Sequence, residues 1–165
     1  MKKHWSMTVF AGCCLALLAL HCNPKPAPDT RVADEAAIRD INRAWAKTYN
    51  AGDADGLVAL HAEDAVVSAP GAPAARSHAA IRELFVQDIT ASVKGGITLS
   101  IGAASDVGVS GDLGWEWGTF KATDKSGATA DAGKYVTVFA RKDGKWLIIR
   151  DIWNSDGPMQ AQATK

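Results

Sequence analysis

Asp143-Gly144 constrains this chain more than any other pair of residues. The dipeptide suits a two-residue turn in which both central residues take positive φ. It sits between two runs rich in β-branched and aromatic residues, Lys134 to Lys142 and Lys145 to Asn154. The sequence therefore predicts an antiparallel hairpin. With Lys142 opposite Lys145, strict alternation pairs Ala140 with Leu147, Val138 with Ile149, Val136 with Asp151 and Lys134 with Trp153. One face then carries Lys134, Val136, Val138, Ala140, Leu147, Ile149, Asp151 and Trp153. The other carries Tyr135, Thr137, Phe139, Arg141, Trp146, Ile148, Arg150 and Ile152. Both faces are largely apolar, whereas a sheet covered on one side only shows a polar face to water. Two readings stay open: the second face meets another surface, most simply a second copy of the chain, or the single-chain core is thicker.

The residues before the hairpin extend this pattern. Ile38, Ile41, Trp45 and Tyr49 fall on one face at helical spacing, and Asn50-Ala51-Gly52 ends that helix. Asp53 can cap a short second helix carrying Leu57 and Leu60. Residues 65–69 read as a strand and "PGAPAARS" as a loop. Ser77 can cap a third helix whose apolar face is Ile81, Leu84, Phe85 and Ile89. Alternation then returns at Ile97, Leu99 and Ile101, at Val107 and Val109, and from Leu113 to Ala122. Three helices with one strand among them, followed by an antiparallel meander, predict an α+β domain with helices on one face of a curved sheet.

The first 22 residues read as an export signal: Lys2 and Lys3, an apolar run from Trp5 to Leu20, then the helix-breaking "NPKPAP". The run is short for a bilayer span, the alternative reading. All three cysteines, Cys13, Cys14 and Cys22, lie here, so the folded part has neither a disulfide nor a thiolate metal site. Cys22 is a candidate lipidation site, although His21 stands where a small residue is wanted. The expected organisation is a signal over 1–22, a Pro-rich linker over 23–32, one domain over 33–156 and a flexible tail over 157–165. The expected location is the periplasm, free or lipid-anchored to the envelope. Loss of Lys2 and Lys3 leaves 16 basic against 18 acidic residues and no basic stripe, which argues against nucleic acid as a partner.

The segments "INRAWAKTYNAGDADGLVALHAEDAVVSAPGAP", "SHAAIRELF" and "GKYVTVFARKDGKWLIIRDIWNSD" together resemble the nuclear-transport-factor-2-like superfamily, in its SnoaL-like and ketosteroid-isomerase-like branch. The resemblance runs from Ala33 to Asp156. It implies a cone, with three N-terminal helices packed on the concave face of a bent antiparallel sheet around a pocket, commonly dimeric through the outer sheet face. Steroid isomerases of this family use a helix Tyr and a protonated Asp as donors and a strand Asp as base. The matching positions here are Trp45, the neighbourhood of Val136 and Thr137, and Ala69. Ala69 cannot take a proton, so steroid isomerisation by those residues is not expected.

Resemblance and register together nominate an inner set. Trp45 and Tyr49 come from the first helix, His61 from the second, Phe85 from the third, and Lys134, Asp151 and Trp153 from the sheet. His61 and Asp151 are the candidate catalytic pair. A His among apolar groups can move a proton near neutrality, or it is a core His bonded to a carbonyl. A partly desolvated Asp151 has a raised pKa, or it pairs diagonally with Lys134 and stays ionised. Tyr49 is a polar handle or plain core. Glu116, between Trp115 and Trp117 and flanked at two-residue spacing by Gly114 and Gly118, reaches the pocket if that face points inward. In the opposite register the tryptophans do. Ligand-binding candidates are thus Trp45, Tyr49, Phe85, Glu116, Lys134 and Trp153. No His pair at metal spacing and no phosphate-binding glycine loop is present, so neither a metal nor a cofactor is expected. The expected function is an exported pocket for a small apolar molecule, extending to cofactor-free proton transfer of isomerase, dehydratase or cyclase type. The competing reading is a non-catalytic envelope association or carrier module.

Overall fold

The computed structural model describes residues 29–103 and 105–157. The export signal, the three cysteines, the linker as far as Pro28 and the tail from Pro158 lie outside them. Helix α1, Arg31–Asn50, starts inside the stretch expected to be linker. Asp34 in its first turn explains this. Its buried carboxylate accepts from Thr30 Oγ1 (2.7 Å), Arg141 (2.6 Å) and Trp146 Nε1 (3.1 Å), which fixes the helix start to the far hairpin. Arg141 also lies 4.5 Å from the Trp146 ring centre. Helix α2, Ala54–Ala59, is capped by Asp53, which accepts from Gly56 N at 2.8 Å. Helix α3, His78–Gly95, is capped by Ser77, which accepts from Ala80 N at 3.3 Å.

The strands are β1 His61–Ser68, β2 Ala75–Arg76, β3 Thr98–Ile101, β4 Asp106–Ser110, β5 Leu113–Thr123, β6 Thr129–Lys142 and β7 Lys145–Ser155. Their order is β2-β1-β7-β6-β5-β3, with β4 also on β5. The sheet is curved, unclosed and mixed, because β1 runs parallel to β7 while the other pairs are antiparallel. The expected meander is antiparallel as read; the parallel β1–β7 pair was not foreseen. It follows from the chain order: β1 enters the sheet from α2, on the free side of the last strand. Asp143 and Gly144 both take positive φ, 50° and 77°, as the hairpin turn requires.

The hairpin register departs from strict alternation. Lys142↔Lys145 and Ala140↔Leu147 hold, and Phe139 faces Ile148, but Val138 faces Arg150. Ile149 is the extra residue of a β-bulge, and beyond it every side chain changes face. Asp151 therefore stands opposite Thr137 instead of Val136, and Trp153 opposite Tyr135 instead of Lys134. The concave face carries Tyr135, Thr137, Phe139, Trp146, Ile148, Asp151 and Trp153. Two groups of buried side chains fill it. One centres on Leu57, Val67, Ile81 and Phe85, the other on Ile38, Phe139 and Ile148, and Trp45 packs against both.

Candidate functional site

Three elements meet at a half-enclosed cavity of about 70 Å³ on the concave side. Helix α1 supplies Asn42, Trp45 and Tyr49, and α3 supplies Asp88. The sheet supplies Leu99, Ile101, Phe120, Tyr135, Thr137, Asp151 and Trp153. Most of this wall is aromatic or aliphatic because the α1 stripe and the inward residues of β5 to β7 are the core-facing sets of their elements.

Asp151 is the more deeply buried of the two carboxylates in the wall, 7% exposed. Thr137 Oγ1 donates to its Oδ1 at 3.0 Å, and no cation pairs with it among the described residues. Burial pushes its carboxyl up to about 6, against a weaker downward pull from Thr137 and the Ile152 amide. The bulge is what brings it here. A second polar chain runs beside it. Asn42 Nδ2 approaches Tyr135 OH at 3.5 Å, and Tyr135 OH donates to Glu116 Oε1 at 3.1 Å. Burial and the neighbouring Glu116 hold the Tyr135 phenol above its ordinary range. Glu116, Thr137 and Asp151 form one lateral row across β5, β6 and β7. At the exposed rim, Tyr49 OH donates to Asp88 Oδ2 at 2.9 Å and lies 2.7 Å from Ser92 Oγ.

The structure brings Trp45, Tyr49, Asp151 and Trp153 together around the cavity. Glu116 points inward, 2% exposed, and reaches the cavity only through Tyr135; its Oε2 has no partner among the described residues. Trp115 and Trp117 therefore face outward. Phe85 does not line the cavity. It is fully buried behind it, edge-on to Trp45 at 5.9 Å. His61 is also outside the cavity wall. It opens β1 rather than ending α2, its Nδ1–H donates to Leu57 O at 2.8 Å, and its Nε2 is buried without a partner among the described residues. Desolvation lowers its pKa to about 4, so it is neutral near pH 7. Lys134 is on the opposite face of the sheet. The bulge turned Asp151 and Trp153 away from it, and its ammonium pairs with Asp156 instead of Asp151. Among the described residues no three His, Cys, Asp or Glu side chains converge as metal ligands.

Asn42, Tyr135, Thr137 and Asp88 were not foreseen. Asn42 was readable, since it shares the α1 stripe with Trp45 and Tyr49 at i, i+3 and i+7. Strict alternation already groups Thr137 and Tyr135 with Phe139, Trp146 and Ile148; only their pairing with Asp151 and Trp153 required the bulge.

The SnoaL-like domain family matches residues 42–149. An NTF2-like protein with a cystatin-like fold from Novosphingobium aromaticivorans is similar at 24% identity, over 78% of this chain and 86% of that chain, with a TM-score of 0.70. An NTF2-like protein of unknown function from Pseudomonas putida is similar at 19% identity, over 78% and 91%, with a TM-score of 0.69. A ketosteroid isomerase-like protein from Erwinia carotovora atroseptica is similar at 20% identity, over 76% and 98%, with a TM-score of 0.60. At these identities the likeness establishes the fold. Comparison with curated proteins gives no match.

Proposed function

The chain belongs to the SnoaL-like domain family, and on that premise we propose that its cavity binds a small, largely apolar molecule and exchanges a proton with it through Asp151. One observation carries this reading. Asp151 lines an apolar cavity, is desolvated, and titrates at about 6 without a cation to hold it ionised. A carboxylate in that state is a competent base near pH 7 and a competent acid just below it. Ala69 stands at the position of the isomerase base, so Asp151 works from a different strand, β7, the neighbour of β1. Tyr135 gives its single hydroxyl proton to Glu116 Oε1, so toward a ligand its oxygen acts as an acceptor for an N–H or O–H.

The volume bounds the ligand. A dry cavity of about 150 Å³ takes benzene, and this one is about half that. By that proportion a body of about three carbons fits inside, and a larger molecule leaves part of itself in the opening. The test is exchange of α-protons from a panel of small aldehydes, ketones and esters in D₂O, followed by proton NMR. Wild type is expected to exchange at least one class, with Asp151→Asn reduced about a hundredfold or more. Exchange unaltered in Asp151→Asn refutes the assignment.

A non-catalytic association role has its own support on the outer face. Trp117, Val136 and Ile152 form one lateral row, and Leu113 and Trp115 extend the patch, all exposed. This face meets a second copy of the chain in our reading, as a sheet face of this apolarity needs cover. Trp117→Glu should then convert a dimer to a monomer in sedimentation. The sequence of residues 1–22 supports action in the periplasm or at the envelope.

A further inference from the structure

The cavity has an acid at each end and no base between them. Among its lining residues Asp88 and Asp151 are the ionisable acids, and no Lys, Arg or His lines it. The two differ in setting. Asp151 is buried, and Asp88 is at the exposed rim. Asp88 is held by Tyr49 OH at 2.9 Å, and it forms no ion pair among the described residues. Directly beside it the Trp45 and Tyr49 rings stack, with centres 5.2 Å apart and planes 11° from parallel. A fixed carboxylate without a cation partner among the described residues attracts an organic cation through charge. The same set repels an organic anion, since nothing in the wall compensates its charge.

We propose that the ligand of this cavity is a small amine, bound as its ammonium. The cationic head sits at the rim against Asp88 and the Trp45–Tyr49 stack. The uncharged body reaches past Leu99, Ile101 and Phe120 toward Asp151. This division leaves each carboxylate one task. Asp88 neutralises the head without desolvating it fully, which keeps the cost of burying a charge small. Asp151, in the depth, stays unpaired and available for a proton. Discrimination at the rim is a long-range effect and falls with salt.

The inference rests on the cavity being a ligand site, so its test separates the two. Three probes of nearly one shape are n-butylammonium, 1-butanol and pentanoate. Each is titrated to 100 mM into the full mature protein at pH 7.5, with binding followed by the tryptophan indole N–H signals in NMR. The expected order is n-butylammonium at least tenfold tighter than 1-butanol, with pentanoate unbound. Asp88→Asn, at an exposed position, should bring n-butylammonium to the level at which the same variant binds 1-butanol. Added sodium chloride at 0.5 M should narrow the gap in wild type. Binding of 1-butanol as tight as n-butylammonium, or an ammonium preference that survives in Asp88→Asn, overturns the amine assignment while leaving the ligand site standing. Binding of none of the three overturns both.

Discussion

Replacing Asp151 by Asn is expected to stabilise this protein at neutral pH. The folded-state carboxyl titrates at about 6, against an ordinary value of 3.8. The native state therefore binds the proton more tightly than the unfolded state does. Between pH 3.8 and about 6 stability falls as pH rises, and above 6 the full penalty of an ionised, buried Asp151 is present. That gap corresponds to about 3 kcal/mol. Asn keeps an acceptor for Thr137 Oγ1 and cannot ionise. Urea denaturation of wild type and Asp151→Asn from pH 4 to pH 8 measures the difference directly. The variant should gain about 1–3 kcal/mol at pH 7.5, the lower bound allowing for a weaker bond from Thr137. The gain should shrink toward zero by pH 4. A variant that is less stable than wild type at pH 7.5, by more than at pH 4, refutes the argument. It would mean that the ionised carboxylate is held by partners and serves the fold.

Three further outcomes follow from the same geometry. His61 titrates at about 4 when folded and 6.5 ordinarily, so its contribution is complete above pH 6.5 and is lost as pH falls toward 4. In urea titrations His61→Gln should resist acid over that window, wild type losing up to about 3 kcal/mol relative to it. Gly118→Ala places a methyl group inside the van der Waals surface of Tyr135 OH and Cζ, because Tyr135 lies across Gly118 on the neighbouring strand. It should cost about 1–3 kcal/mol in urea unfolding and alter the near-ultraviolet circular dichroism as Tyr135 leaves Glu116. Asp34→Asn weakens the bond to Arg141, which holds the Asp34 carboxyl at about 2 against 3.8. Its thermal midpoint should lie below that of wild type at pH 7. The difference should close as pH falls from 4 to 2, since a depressed carboxyl contributes only while it is ionised.

The elements were legible in the sequence because each carries a local signal. Asp143-Gly144, the Asp53 and Ser77 caps and the α1 stripe act within a few residues of themselves, and the observed turn, caps and helix follow. The face of β5 was not legible. The two-residue spacing of Gly114, Glu116 and Gly118 fits either direction. What decides it is space across the sheet: a Cβ at Gly114 would meet Ile38 Cδ1 of α1 at 2.5 Å, and Gly118 leaves room for the Tyr135 ring. Both are contacts between residues remote in sequence.

The site was misread at one residue, and Arg150 was the available clue. Strict alternation places Arg150 on the face of Trp146 and Ile148, an uncompensated guanidinium among apolar side chains, which a core does not accept. A single extra residue before it resolves the conflict. Arg150 turns out, where its guanidinium donates to the Asp64 carbonyl at 3.2 Å. Asp151 must then turn in, because alternation resumes at once. The same residue that relieves one buried charge imposes another, and the second is unpaired. A strand gains nothing in stability by that exchange. An unbulged strand with an apolar residue in place of Arg150 would satisfy both faces. The bulge is therefore best understood through what it delivers, a desolvated carboxyl beside Thr137 and Tyr135 at the wall of the cavity. Deleting Ile149 alone removes the extra residue yet leaves Arg150 opposite Val138 and Asp151 opposite Thr137, so this account requires that the variant keep a folded hairpin with Asp151 still facing in. In that variant the titration near pH 6 should persist in the carboxyl carbon spectrum, and its loss would refute the argument that register alone delivers Asp151 to the cavity.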